Sequence, residues 1–185
     1  MRVTSTTECR TLDRTLRRRG AYVFAVFGFV WAMAGSSIAG RAAWVVLVVA
    51  AVVSVTVAVL GHRSGKNGAG ERRRALPEGW GRSVGVVNIV QIVAIAVTVF
   101  GLSTLGGASL LPPVVCLIVG LHFLPLARLY DQPQYRWTAG LLILAAVIGL
   151  GAVLWGAEAE TVLGGVGFAA AMTLWASAVH VAIRN

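Results

Sequence analysis

The chain reads as six long apolar stretches separated by short polar ones, covering residues 21–39, 42–60, 84–105, 111–126, 137–155 and 162–183. None of them alternates apolar with polar residues, the pattern a barrel strand keeps over about ten positions. Unbroken apolar runs of this length fit α-helices. About 20 residues, rising about 1.5 Å each, cross the ~30 Å hydrocarbon core of a bilayer. Five of the spans are long enough as they stand. The fourth is the shortest and holds Pro125, so it predicts a helix that is barely tilted or locally broken. The predicted fold is all-α: a six-helix transmembrane bundle built as three successive hairpins.

The charged positions give the bundle a direction. Arg2, Arg10, Arg14, Arg17, Arg18 and Arg19 precede the first span. Arg63, Lys66, Arg72, Arg73, Arg74 and Arg82 fill the loop 61–82, and Arg128, Arg136 and Arg184 follow on the same side. Fifteen of the sixteen basic residues therefore share one side, which leaves Arg41 with Glu158, Glu160 and the uncharged turn 103–109. Arginine and lysine concentrate on the cytoplasmic side of membrane proteins. The pattern places the N- and C-termini and the 61–82 loop in the cytoplasm, in a multi-pass protein of the bacterial inner (plasma) membrane. Trp80 and Trp137 fall at the inner boundary and Trp44 and Trp155 at the outer one, as in an interfacial aromatic belt.

Residues 1–20 form a basic cytoplasmic tail, and 21–185 a membrane domain whose Gly-rich 61–82 loop reads as a flexible linker. Ser5 and Glu8 have capping-box spacing, Leu12 and Leu16 share a helical face, and Asp13 is placed to pair with Arg17. Those features describe a helix lying on the inner leaflet; a disordered basic tail is the alternative. The basic tail, apolar run and Ala32-Met33-Ala34 also resemble a cleavable signal peptide. The apolar run continues to Ala39 and the leading tail is long, so the first span is read as retained.

Composition agrees with lipid. Of 185 residues 57% are hydrophobic and 12% charged, with a mean hydropathy of +0.80, whereas a soluble domain carries about 25% charged residues. The net charge of +9 would suggest nucleic acid in a soluble protein. Here it sits beside apolar spans, so the expected partners are membrane lipids, with anionic headgroups near the arginine clusters, and not nucleic acid. Lys66 is the only lysine, and with so much Ala, Val and Gly the composition fits a GC-rich bacterial genome. Cys9 lies in the tail and Cys116 within a span, too far apart in the fold for a bridge.

Inside lipid, helices associate by close packing of small residues. Gly28, Ala32, Ser36 and Gly40 form one such stripe, and Gly165, Ala169, Thr173 and Ser177 another. Both are expected at helix contacts, within the bundle or between copies in a homo-oligomer. Spans two and five look alike, but only as Ala/Val/Leu runs do, so no internal duplication is read.

No Asp or Glu lies in any span, which speaks against carboxylate proton relays and carboxylate-ligated ions. The sequence contains no H-E-x-x-H, no Walker loop, no G-x-S-x-G and no aspartate-rich diphosphate motif. No cofactor is implied. What remains is neutral: Asn88, Gln91 and Thr98 in the third span, His122 in the fourth, and His180 in the sixth with Thr173 and Ser177. Counted from the cytoplasmic ends, Asn88, Gln91 and His122 lie at similar depths on helices expected to be neighbours.

Pro125 removes the hydrogen bond to the Leu121 carbonyl, which then needs another donor. In the preferred reading His122, Asn88 or Gln91 repairs this kink and glues two helices. In the other reading they line a polar vestibule open to the cytoplasm, where His122 binds a ligand or titrates near neutral pH. No metal site is expected, because Cys116 and His122 lie on different faces.

Residues 120–128, Gly-Leu-His-Phe-Leu-Pro-Leu-Ala-Arg, resemble a stretch of small bacterial multi-pass membrane proteins of unknown function. The likeness covers the fourth and fifth spans, singles out His122 with Pro125, and implies no activity. The expected role is a non-enzymatic structural, regulatory or accessory component of the plasma membrane. A small transporter or channel-like carrier is the alternative, and a lipid-modifying membrane enzyme using His122 as acid/base comes third.

Overall fold

The computed structural model describes residues 6–67, 79–132 and 134–183, with side chains described for 18–63, 79–132 and 134–183. Helices make up nearly all of it, and no strand occurs among the described residues. Those helices are α1 (Thr6–Gly35), α2 (Ala43–Asn67), α3 (Trp80–Thr104), α4 (Leu111–Leu129), α5 (Gln134–Leu154) and α6 (Ala159–Ile183). Short 3-10 turns, Ser36–Ala42 and Ala108–Leu110, precede α2 and α4.

Five helical runs are long and apolar enough to cross a membrane: Arg18–Arg63, Trp80–Thr104, Ala108–Leu129, Gln134–Leu154 and Ala159–Ile183. The first, 46 residues long, is a helix doubled back on itself. Gly40 takes φ 50° and ψ −122°, open to glycine but strained for an L side chain, and the chain reverses there. The Tyr22 hydroxyl then lies 2.9 Å from His62 Nδ1, and Ala21 abuts Gly61.

The other helix ends close in the same economical way. Gly107 N–H donates to Leu102, Gln132 N–H to Ala127 and Ala157 N–H to Ala152, each one residue after a left-handed position at Gly106, Asp131 and Gly156. These six-to-one bonds satisfy carbonyls that a helix end leaves open. With turns this short, successive helices lie antiparallel, and the positions of Arg18, Arg63, Arg82, Arg128 and Arg136 gather at one end of the molecule.

α6 is the centre. It packs on α1, α5, α2 and α4, while α4 packs on α5 and, among the described elements, α3 touches only α4 and the 3-10 turn before it. The α1–α6 seam is made by small residues. A Cβ at Gly167 would stand 2.8 Å from Gly35 Cα, one at Gly28 would stand 2.5 Å from Trp175 Nε1, and Ala32 is 1% exposed. Ser36 is buried and Gly164 faces Ile38, so Gly28, Ala32 and Ser36 of the first stripe flank the close approach at Gly35, while Gly40 stands outside it at the turn.

The second stripe divides. Thr173 is buried and Ser177 bonds Thr138 of α5, whereas Gly165 and Ala169 are exposed, so within the bundle Gly164, Gly167 and Ala171 do the close packing in α6. A helix with small residues on several faces offers more than one smooth stripe, and only the neighbour selects one. Three further readings are refined. α4 runs unbroken through Pro125, so the shortest span is not interrupted. α2 continues to Asn67, so the first part of the predicted 61–82 loop is helix, while 68–78 lie outside the described residues. The tail is helical from Thr6 and continuous with the first span, whereas the proposed Ser5 cap and the Leu12, Leu16 and Asp13–Arg17 contacts lie outside the described residues and side chains.

Candidate functional site

The polar residues singled out along the chain do not converge on one point. His122 lies half-buried on α4, its ring drawn against the backbone of Val87 on α3. Gln91 and Thr98 are half-buried with Val84 and Val87 on α3, whose only helical neighbour is α4. Asn88 is exposed, turned out of that seam, and His180 is exposed on α6. No hydrogen bond joins Asn88, Gln91, Thr98 and His122, and none of them bonds to the Leu121 carbonyl among the described residues. Cys116 is fully buried on the other side of α4, its thiol donating to the Leu142 carbonyl at 3.3 Å.

His122 instead opens a chain of rings at the arginine-rich end. It stands 5.8 Å from Phe123, edge-on. Phe123 meets Phe24 of α1 at 5.6 Å and Tyr135 of α5 at 5.7 Å. Tyr135 meets Tyr130 at 5.6 Å, and Tyr130 meets Trp80 of α3 at 5.2 Å, nearly perpendicular. Edge-to-face contacts of this kind add to the area they bury, because ring edges are positive and faces negative. Four helices are thereby tied at one level.

Two nitrogens in this cluster, His122 Nδ1 and Trp80 Nε1, are buried with no hydrogen-bond partner among the described residues. Trp80, half-buried, accordingly turns its Nε1 inward. Trp44, Trp137 and Trp155, at 67%, 77% and 91% exposure, have the outward placement of an aromatic belt.

Among the described residues, three pairs of polar side chains cross helix seams, while Ser37, Thr56, Ser83, Thr104 and Thr173 bond carbonyls of their own segment. Thr138 and Ser177 hydroxyls meet at 2.7 Å between α5 and α6. Trp175 Nε1 donates to Ser54 Oγ at 3.0 Å between α6 and α2. Tyr22 and His62 join α1 to α2. Thr173 donates to the Ala169 carbonyl one turn earlier, and whichever of Thr138 and Ser177 accepts in their mutual bond is free to donate to the carbonyl one turn earlier in its own helix, Gln134 or Thr173.

The sequence reading passed over His62 and over the pairing of Thr138 with Ser177, though a usable signal existed. Tyr22 and His62 stand equally far from Ala42, Thr138 and Ser177 equally far from the turn after Trp155, and Trp80 and Tyr130 equally far from Leu105. In an antiparallel hairpin such residues share a level. Ser54 with Trp175 had no such signal, because α2 and α6 are not consecutive.

No known family matches this chain, and no curated protein or solved structure shows significant similarity to it. Any functional reading therefore rests on the geometry above.

Proposed function

We propose that the chain is a multi-pass protein of a bacterial plasma membrane that crosses the bilayer six times. The tail 1–20, the C-terminus and the loop after α2 lie in the cytoplasm. It serves there as a structural, regulatory or accessory component rather than as an enzyme, in keeping with the likeness of residues 120–128 to small multi-pass proteins. Two of the crossings come from the doubled run Arg18–Arg63, whose arms lie side by side. The first span is retained in this reading, since α1 supplies the glycine seam to α6. Anionic headgroups contact the arginine end. The outward face of α3, carrying Asn88, is the place for self-association, because a carboxamide facing hydrocarbon gains by meeting a second one.

The observation that carries a structural role is the use made of polar side chains. Thr138, Ser177, Ser54, Trp175 and Cys116 are bonded across seams between helices. In lipid, where apolar surface gives little driving force, such bonds and close backbone packing hold helices together.

Topology is tested by reporter fusions after Asn67 and after Trp155. Cytoplasmic signal at the first and external signal at the second are expected, and the reverse pattern would end this reading. A small carrier is the second reading, and one observation favours it: at the seam of α3, the helix with no buried residue, His122 Nδ1 and Trp80 Nε1 are buried with no hydrogen-bond partner among the described residues. There, Gln91→Cys and His122→Cys should react with a water-soluble thiol reagent from the cytoplasmic side. Inertness of both would leave only the structural role.

A further inference from the structure

Between α1 and α2, at the arginine-rich end, lies a groove of about 320 Å³. Its walls are Ala25, Phe29, Ala51, Val55 and Ala58, and Tyr22 stands at its mouth. The groove exists because side-chain size changes along the hairpin. Ala21 and Gly61 bring the helices into contact at the end, and alanines then leave a channel between larger neighbours. From Tyr22 to Phe29 it descends seven residues, about 10 Å at the helical rise of about 1.5 Å. Ser54, the polar residue on its lining, has its hydroxyl engaged by Trp175 Nε1. The interior is therefore apolar, while the mouth is polar and basic. The Tyr22 hydroxyl meets His62 Nδ1 at 2.9 Å, and the Arg18 guanidinium lies 5.7 Å from the centre of the Tyr22 ring. Arg63 is exposed beside His62, and no Asp or Glu occurs between Arg18 and Arg63; Asp131, exposed at the same end, belongs to the turn between α4 and α5.

We propose that this groove seats one acyl chain of an anionic diacyl phospholipid, with the phosphate held at the mouth by Arg18, Tyr22, His62 and Arg63. The inference rests on the membrane reading above, in which the arginine-rich end lies at the cytoplasmic surface. A phospholipid has the matching order of parts: a phosphate at the surface and a hydrocarbon tail running inward from it. A positive mouth favours an anionic headgroup over a zwitterionic one. The grooved hairpin holds such a lipid in place.

The test uses the full chain, reconstituted in nanodiscs of equal phosphatidylglycerol and phosphatidylcholine, then released into mild detergent and weighed by native mass spectrometry. One retained phosphatidylglycerol is expected, preferred over phosphatidylcholine by on the order of tenfold from two arginines at the mouth. Ala51→Leu with Ala58→Leu fills the groove and should abolish retention. Arg18→Gln with Arg63→Gln should keep a retained lipid but erase the headgroup preference. If the leucine pair fails to give a monodisperse protein, Val55→Trp fills the groove from its exposed rim. Equal retention of both lipids by the unaltered chain, or undiminished retention in a folded groove-filled variant, would overturn the proposal. Failure of the topology is seen separately. In a Cys9→Ser background, labelling of Arg63→Cys from outside intact cells would refute the cytoplasmic placement. Selective retention lost on filling the groove would still establish the site.

Discussion

α3 and α6 are both long and apolar, yet they occupy opposite places in the molecule. α3, covered with Val and Ile, has no buried residue. α6, rich in Gly and Ala, has the largest share of its residues buried, with Ala170, Ala171 and Ala178 inaccessible and Leu174 1% exposed. In water the bulkier apolar side chains would be the ones buried. In a bilayer an outward Val or Ile costs nothing, so burial goes to the helix whose small side chains let backbones approach. Val86, Ile89, Val90, Ile92, Val93 and Val97 cover the outside of α3, whereas Gly164 and Gly167 let α6 meet α1.

The largest test of this contrast is Gly167→Leu. Its side chain meets the Gly35 backbone, which has no rotamer to yield. A loss of about 3 kcal/mol, the upper end for overpacking, is expected in reversible unfolding in micelles. Gly165→Leu, on the outward face of the same helix, and Gly85→Leu on α3 should each stay within about 0.5 kcal/mol of the unaltered chain. Equal effects at Gly165 and Gly167 would break the comparison.

Next in size is the Thr138–Ser177 pair. Thr138→Val and Ser177→Ala should each destabilise measurably, with a coupling of about 0.6 kcal/mol in a double-mutant cycle, typical of hydrogen bonds between membrane helices. Additive effects would remove that bond from the account of the α5–α6 seam.

A change at Trp175 sharpens the picture further. Trp175→Phe removes the donor to Ser54 but keeps a ring against Gly28, so a loss of about 0.6 kcal/mol is expected from the bond alone. A much larger loss would mean that ring packing on α1 outweighs the hydrogen bond.

The smallest expected effect is Asn88→Leu. Its side chain is exposed on α3, so unfolding should move by less than about 0.5 kcal/mol. If α3 pairs with a second copy, sedimentation in detergent should show the oligomer weakened while the monomer stays folded. An unchanged oligomer would place self-association elsewhere.

Much of this was readable along the chain. Continuous apolar runs dictated helices, because a backbone in lipid must satisfy its own hydrogen bonds. Gly40, Gly106 and Gly156 fall at or next to ends of predicted spans, since each turn uses a positive φ. Of Gly28, Ala32, Ser36 and Gly40, the first three mark a true contact, whereas Gly40 is the turn itself. The site was less legible. Asn88 and Gln91 sit three residues apart and were read as one group, yet the turn between them is enough to put one in the α4 seam and the other outside it. Trp80 falls at the inner boundary as a belt residue does, and there it also packs on Tyr130.

The sequence by itself determined the helices, their approximate ends, their alternation and the basic end of the bundle. These follow from short-range chemistry: hydropathy, turn geometry and charge. Only the tertiary structure decided that α6 lies at the centre and α3 at the edge, and that Gly167 rather than Gly165 meets α1. It also placed Ser54 opposite Trp175 and left a groove between α1 and α2. Each of these depends on which non-consecutive helices touch. That choice is made by the complementary shapes of two surfaces at once, and no single segment carries it.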